Sequence, residues 1–195
     1  MLSVVIATEN AERSLVPTLA ALVPGAMAGV VREVIVADAG SDDATATIAD
    51  AAGCRIDVLQ APLGERLRQA AASARAAWLL FLRPGAVPDA TWTEEARRFI
   101  ERAELGGEVD ARAAAFRRSG DADTLGAALA EALELIAAAF GVRPRPQQGL
   151  LISKTLYERS GGHLGDDVDP EASLLRRLGR RRIVMLRSRA LTAGG

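Results

Sequence analysis

EVIVADAGSDDAT, residues 33–45, decides how this chain is read. Its first five residues are a strand of β-branched and small side chains, closing on Asp38-Ala39-Gly40-Ser41. Residues 42–52 then read as a helix, with acidic residues in the first turn, where the helix dipole favours them. The same strand-to-helix step recurs on both sides. Upstream, SVVIA (residues 3–7) is a strand, and residues 13–22 carry Leu15, Leu19 and Leu22 at helical spacing. Downstream, residues 55–59 alternate as a strand, 65–77 read as a helix and 78–82 (WLLFL) as a fourth strand. A helix starts at Thr91, where Glu94 offers a capping box. Strands separated by helices predict parallel β-α-β units, and so an α/β, doubly wound sheet.

The second half is less regular. Residues 111–116, 149–153 and 183–186 read as strands, 124–140 as an alanine- and leucine-rich amphipathic helix, and 170–178 as a helix. No internal repeat is visible, and the Gly106-Gly107 pair and the run Val142-Arg143-Pro144-Arg145-Pro146 read as loops. At 195 residues, one domain over residues 1–195 is expected. A formal charge of −1 gives no support to bulk nucleic-acid binding. Cys54 and His163 are the only residues of their kinds, which excludes structural disulfides, Cys/His zinc sites and multi-histidine metal clusters. No apolar run reaches the ~20 residues of a membrane span, and the start resembles no signal peptide, so a cytoplasmic chain is expected.

Two segments suggest a ligand. In VVIATEN (residues 4–10) a strand end leaves backbone N–H groups and Thr8 at the sheet edge, although Asn10 could equally be a helix N-cap. Asp38, beside the glycine turn at Gly40, could accept hydrogen bonds from a nucleobase or ribose, or could simply cap the next helix as an Asx turn. Together the two segments favour a nucleotide. No G-x-G-x-x-G follows the first strand, which sets an NAD(P)-dependent oxidoreductase well behind.

The blocks SVVIATEN, EVIVADAGSDDAT, GERLRQAAASARAAWLLFL, QQGLLISKTLYERSGG and LLRRLGRRRIV resemble, in order and spacing, the family 2 glycosyltransferases, and in particular their short bacterial subgroup. The resemblance spans nearly the whole chain. It implies a GT-A fold, a Rossmann-like mostly parallel sheet flanked by helices, with a nucleotide-binding half over about residues 1–104 and an acceptor half over about 105–195. It implies inverting transfer from a UDP- or GDP-linked sugar to an unidentified acceptor. The family norm is a Mg or Mn ion held by Asp-x-Asp after the fourth strand, where this chain has Arg83-Pro84-Gly85-Ala86. The subgroup's Gly-Asp-Gln-Gly is here Pro146-Gln147-Gln148-Gly149, and its Glu-Asp before the Leu-x-x-Arg-Leu helix is Pro170-Glu171. The asparagine after the Arg-Gln pair is also missing, because Arg68-Gln69 runs into alanines.

What the resemblance implies is therefore a metal-independent variant. Its leaving diphosphate would be neutralised by fixed cations rather than an ion. Arg83 stands at the lost metal ligand, and Arg66 and Arg68 lie in the segment that lines the nucleotide pocket in the family. Glu171 takes the place of the base, and Gln148, Gly161, Gly162 and His163 fall on the acceptor side. The competing reading is a catalytically degenerate GT-A-like domain acting as a binding or scaffolding module. The acidic loop at Asp166, Asp167 and Asp169 reads as solvated residues before a helix N-terminus. RRLGRRR (residues 176–182) reads as a cationic helix end terminated by Gly179. Helix 124–140 lacks a basic face for a membrane surface, so core or homodimer packing is expected of it.

Overall fold

The computed structural model describes residues 1–118 and 149–192. The expected helix at 124–140, the loop at 142–146 and Gln148 lie outside the described residues. Eight strands form one sheet: β1 (Leu2–Thr8), β2 (Val31–Asp38), β3 (Arg55–Val58), β4 (Trp78–Leu82), β5 (Ala86–Pro88), β6 (Ala113–Arg118), β7 (Leu150–Ser153) and β8 (Ile183–Thr192), in the order β3-β2-β1-β4-β7-β6-β8-β5. The half from β3 to β4 is wholly parallel. Beyond it the sheet is mixed: β7 runs antiparallel to β4 and β6, β6 and β8 are parallel, and β5 closes the edge antiparallel to β8.

Strand residues alternate between two apolar layers, which is why β1, β2 and β4 are continuous hydrophobic runs. Val4, Ile6, Val36, Trp78, Leu80 and Leu82 face one layer, covered by α1 (Glu12–Met27), α2 (Thr45–Ala51) and α4 (Trp92–Leu105). Val5, Ile35, Ala37, Leu79 and Phe81 face the other, covered by α3 (Leu63–Ser73), α5 (Lys154–Arg159) and α6 (Pro170–Leu178).

Several boundaries differ from expectation for local reasons. Helix α1 continues past Leu22 to Met27 because Gly25 seats against the Trp92 ring, and that indole Nε1 donates to the Ala21 carbonyl at 2.9 Å. Helix α2 starts only at Thr45, since Asp42, Asp43 and Ala44 are engaged with the β1–α1 loop. Helix α3 stops at Ser73, where other groups claim the following backbone: Arg75 N–H donates to Glu33 and Ala76 N–H to the Ser3 hydroxyl. The capping box at Thr91 does not form. Asp89 accepts from both the Thr91 amide and its hydroxyl, while Glu94 is engaged with Arg97 and Arg98. Helix α5 and strand β5 were not expected, and β8 runs six residues further, to Thr192, because its second half pairs with β5.

Candidate functional site

In register, Thr8 lies beside Asp38 and Ile6 beside Leu82, so the carboxyl ends of β2, β1 and β4 line up along one edge. This is the edge where open α/β sheets bind ligands. A cleft of about 370 Å³ opens there. Ala7, Glu9, Asn10 and Ala11 line it from the end of β1, Ser14 from α1, Leu63 and Leu67 from α3, Leu82, Arg83 and Pro84 from the end of β4, and Glu171 from α6.

The turn after β4 is fixed by its backbone. Gly85, at φ +87°, donates its N–H to the Ser14 carbonyl and the Thr18 hydroxyl, each at 2.9 Å, while Ala86 N–H donates to the Arg83 carbonyl at 3.0 Å. Across the cleft, Asp169 caps α6 by accepting from Ala172 N–H at 3.0 Å, and Pro170 starts the helix. Glu171 therefore projects from the first turn of α6 toward Arg83. Arg83 Nε donates to Glu171 Oε2 at 2.6 Å, and Nη2 contacts the same oxygen. Two nitrogens on one oxygen is not the two-oxygen fork of the strongest Arg–carboxylate pairs. Burial pushes the Glu171 carboxyl up, Arg83 pulls it down and Asp169 pushes it up again, leaving it above the usual carboxylate range.

Other expected site residues have different partners. The Asp38 carboxylate accepts four hydrogen bonds: Thr8 hydroxyl and Ser41 hydroxyl on Oδ1, and Gly40 and Ser41 amides on Oδ2, all at 2.6–2.9 Å. A carboxylate has about four acceptor sites, and here the Asx-type turn, with Thr8 among its donors, engages all four. Burial raises the Asp38 carboxyl, but those donors outweigh it and hold it below the ordinary range. Asn10 is not the helix N-cap. At φ +47° its N–H donates to Ser41 and its side chain accepts from Asp42 N–H, joining the β1 and β2 loops, while Ala11 takes the cap position.

Arg66 is buried, and its guanidinium donates to the carbonyls of Thr8, Ala37 and Ala61 instead of lining the cleft. It locks α3 to the ends of β1 and β2. Arg68 is exposed on α3. His163 is also buried, with Nδ1 2.9 Å from the Tyr157 hydroxyl and its ring edge-on to Phe81. The His163 backbone N–H donates to that same hydroxyl oxygen at 3.0 Å, so the tyrosine holds both the ring and the main chain of His163. Burial, with Arg177 adding to it, drives the imidazole down to about 3, and burial lifts the Tyr157 phenol to about 12. Both act as core residues here. Gly161 and Gly162, at φ +80° and +57°, make the turn beneath them, and Gly162's carbonyl accepts from Arg177. Sequence reasoning missed the hydrophobic wall of Leu63 and Leu67, and the contributions of Glu9 and Ser14; no polar motif marks these positions.

The groups at the end of β4 do not fit a divalent cation. A guanidinium occupies the position and the one adjacent carboxylate is bound to it. Among the described residues, no group of three His, Cys, Asp or Glu converges so as to hold a metal. In the acidic loop, Asp169 caps α6, as its place before a helix suggests.

No protein-family model matches the chain, and no curated protein matches it by sequence. Solved structures do match. Glucosyl-3-phosphoglycerate synthase from Mycobacterium tuberculosis, in complex with Mn2+, UDP and glucosyl-3-phosphoglycerate, aligns over 100% of this chain and 70% of its own, at 20% identity and a TM-score of 0.65. Another structure of that synthase reaches a TM-score of 0.68 over 72% of its length, also at 20% identity. Residues 1–349 of TarS from S. aureus align with 100% of this chain and 58% of that one, at 14% identity and a TM-score of 0.64. The fold is GT-A. The cleft lies at the sheet edge that this fold presents to ligands. Among the described residues, no helix is long and apolar enough to cross a membrane.

Proposed function

We propose that the chain is a glycosyltransferase that moves a sugar from a UDP- or GDP-linked donor to an acceptor hydroxyl, with inversion and without a divalent ion. The observation that carries this reading is the meeting of Arg83 and Glu171 in the cleft, from positions 88 apart in sequence. The donor's diphosphate meets Arg83, whose planar guanidinium can grip two phosphate oxygens. Glu171 takes the acceptor proton. The acceptor oxygen forms a bond to the anomeric carbon, the bond from that carbon to the diphosphate oxygen breaks, and its electron pair leaves with the nucleoside diphosphate. Fixed positive charge then does the work an ion does elsewhere. Residues 1–104 supply the donor side and 105–195 the acceptor side of one domain. The structural neighbour determined with UDP and Mn2+ supports a nucleotide-sugar donor.

The pair itself favours a second reading, a GT-A domain that binds without turnover, because each charge is spent on the other. Thermal shift against UDP, GDP and UDP-glucose, with and without Mn2+, tests the first. Metal-independent stabilisation is expected, whereas stabilisation that requires Mn2+ overturns the ion-free mechanism. Donor turnover by Glu171→Gln then tests the base. A loss of about 10²–10⁴-fold is expected, and equal rates remove Glu171 from that role.

A further inference from the structure

Among the described residues lining the cleft, Arg83 is the one cation, and Glu9 and Glu171 line it with negative charge. An anion entering there meets two carboxylates and a guanidinium already gripped by one of them. We infer that Arg83 is a latch whose grip passes from Glu171 to the donor's diphosphate, so that donor binding is what frees Glu171 for the acceptor. The inference rests on the glycosyl-transfer reading above and adds an order of events to it.

The anchoring of the two partners indicates which one moves. The Arg83 side chain keeps 37% of its surface exposed, against 11% for Glu171. Its backbone is pinned to α1 through Gly85, so the exchange is a swing of the arginine side chain alone. Glu171 stays put on the capped first turn of α6. Among the described residues, the charged groups facing it are Arg83 from the turn after β4, Asp169 from its own N-cap and Glu9 from the loop after β1, while α1 and α3 contribute Ser14, Leu63 and Leu67 to the lining. Once the guanidinium leaves, burial and the Asp169 charge both favour a proton on Glu171, which suits a base.

A ligand that must first open a latch binds more weakly by the fraction of open molecules. Calorimetric titration of UDP and pyrophosphate into wild type, Glu171→Gln and Arg83→Gln reads that fraction, with circular dichroism confirming that each variant is folded. Glu171→Gln is expected to bind both ligands about tenfold more tightly than wild type, although it loses the proposed base. Arg83→Gln is expected to bind them at least about tenfold more weakly. Sulfate, which stays fully ionised, reads the same contest in the unaltered protein: its affinity rises as acid protonates Glu171, and the rise vanishes in Glu171→Gln. Equal or weaker binding by Glu171→Gln, with Arg83→Gln still impaired, overturns the latch and leaves the diphosphate role of Arg83 standing. Binding unaffected by Arg83→Gln removes Arg83 from both roles. Absence of UDP and pyrophosphate binding in all three proteins overturns the latch and the donor reading together.

Discussion

Asp38 shows how a single side chain can carry two readings at the scale of the residue. At the end of a parallel strand, beside glycine, a carboxylate is equally suited to a ribose and to its own turn. In the structure the turn supplies four donors to it. Asp38→Asn, nearly isosteric, turns an amide donor onto other donors and is expected to cost about 1–3 kcal/mol in denaturant unfolding. His163 poses the same ambiguity, because a histidine after a glycine pair fits an acceptor site until its ring is found buried between Phe81 and Tyr157. Tyr157→Phe strips the partner from both the imidazole and the His163 amide, and is expected to lower stability by about 1–3 kcal/mol. Arg83 and Glu171 were legible as candidates from their places in the chain. Their pairing was not, since nothing in the sequence brings residues 88 apart into contact.

At the scale of the element, helices and strands with strong periodicity were readable, and those that depend on distant partners were not. Strand β4 and helix α6 keep the bounds their sequence suggests because WLLFL is continuous and Pro170 and Gly179 bracket the helix. Strand β5 is three residues ending in proline, tolerable only at a sheet edge and visible only once β8 pairs with it. Helix packing reverses another local preference. Alanine for glycine inside α1 would gain about 0.5–1 kcal/mol in helix propensity. At Gly25, however, the added methyl meets the Trp92 ring at 2.5 Å, and that ring is anchored by its bond to Ala21. Overpacking of this kind costs about 1–3 kcal/mol, so Gly25→Ala is expected to lower the melting temperature. Gly64→Ala is expected to be worse, because its methyl falls 1.8 Å from the Leu164 carbonyl, a backbone atom. That substitution forces α3 away from the loop before α6, and with it Leu63 and Leu67 away from Glu171.

Across the whole molecule, the alternation of strand and helix was enough to specify a doubly wound sheet, because parallel strands demand helices on both faces. The switch to mixed pairing beyond β4 was hidden, since a strand's direction is set by how the chain returns and not by its own residues. Stability against pH is a property of this same scale. His163 is neutral when folded, its imidazole held near 3, but ordinary when unfolded, so the unfolded chain binds more protons below about 6.5. Stability from this group is complete above that pH and falls by about 1.4 kcal/mol per pH unit on acidification. Asp38, Asp89 and Glu33, each held below its ordinary value by donors that outweigh burial, add further losses at lower pH. Glu171 works in the opposite direction, because its raised carboxyl gains stability as it protonates. Thermal melts from pH 7 to about pH 4 should therefore show a steady decline, and Glu171→Gln should make it steeper.

Lys154 is the chain's single lysine, and its ammonium caps the end of α3 by donating to the carbonyls of Ala72 and Ala74 at 2.8 and 3.0 Å. Amine-directed reagents would thus find one ε-amino target in the entire polypeptide, already engaged as a fastener between two segments. Acylating it should loosen that seam, so the one lysine is not a harmless place to attach a label.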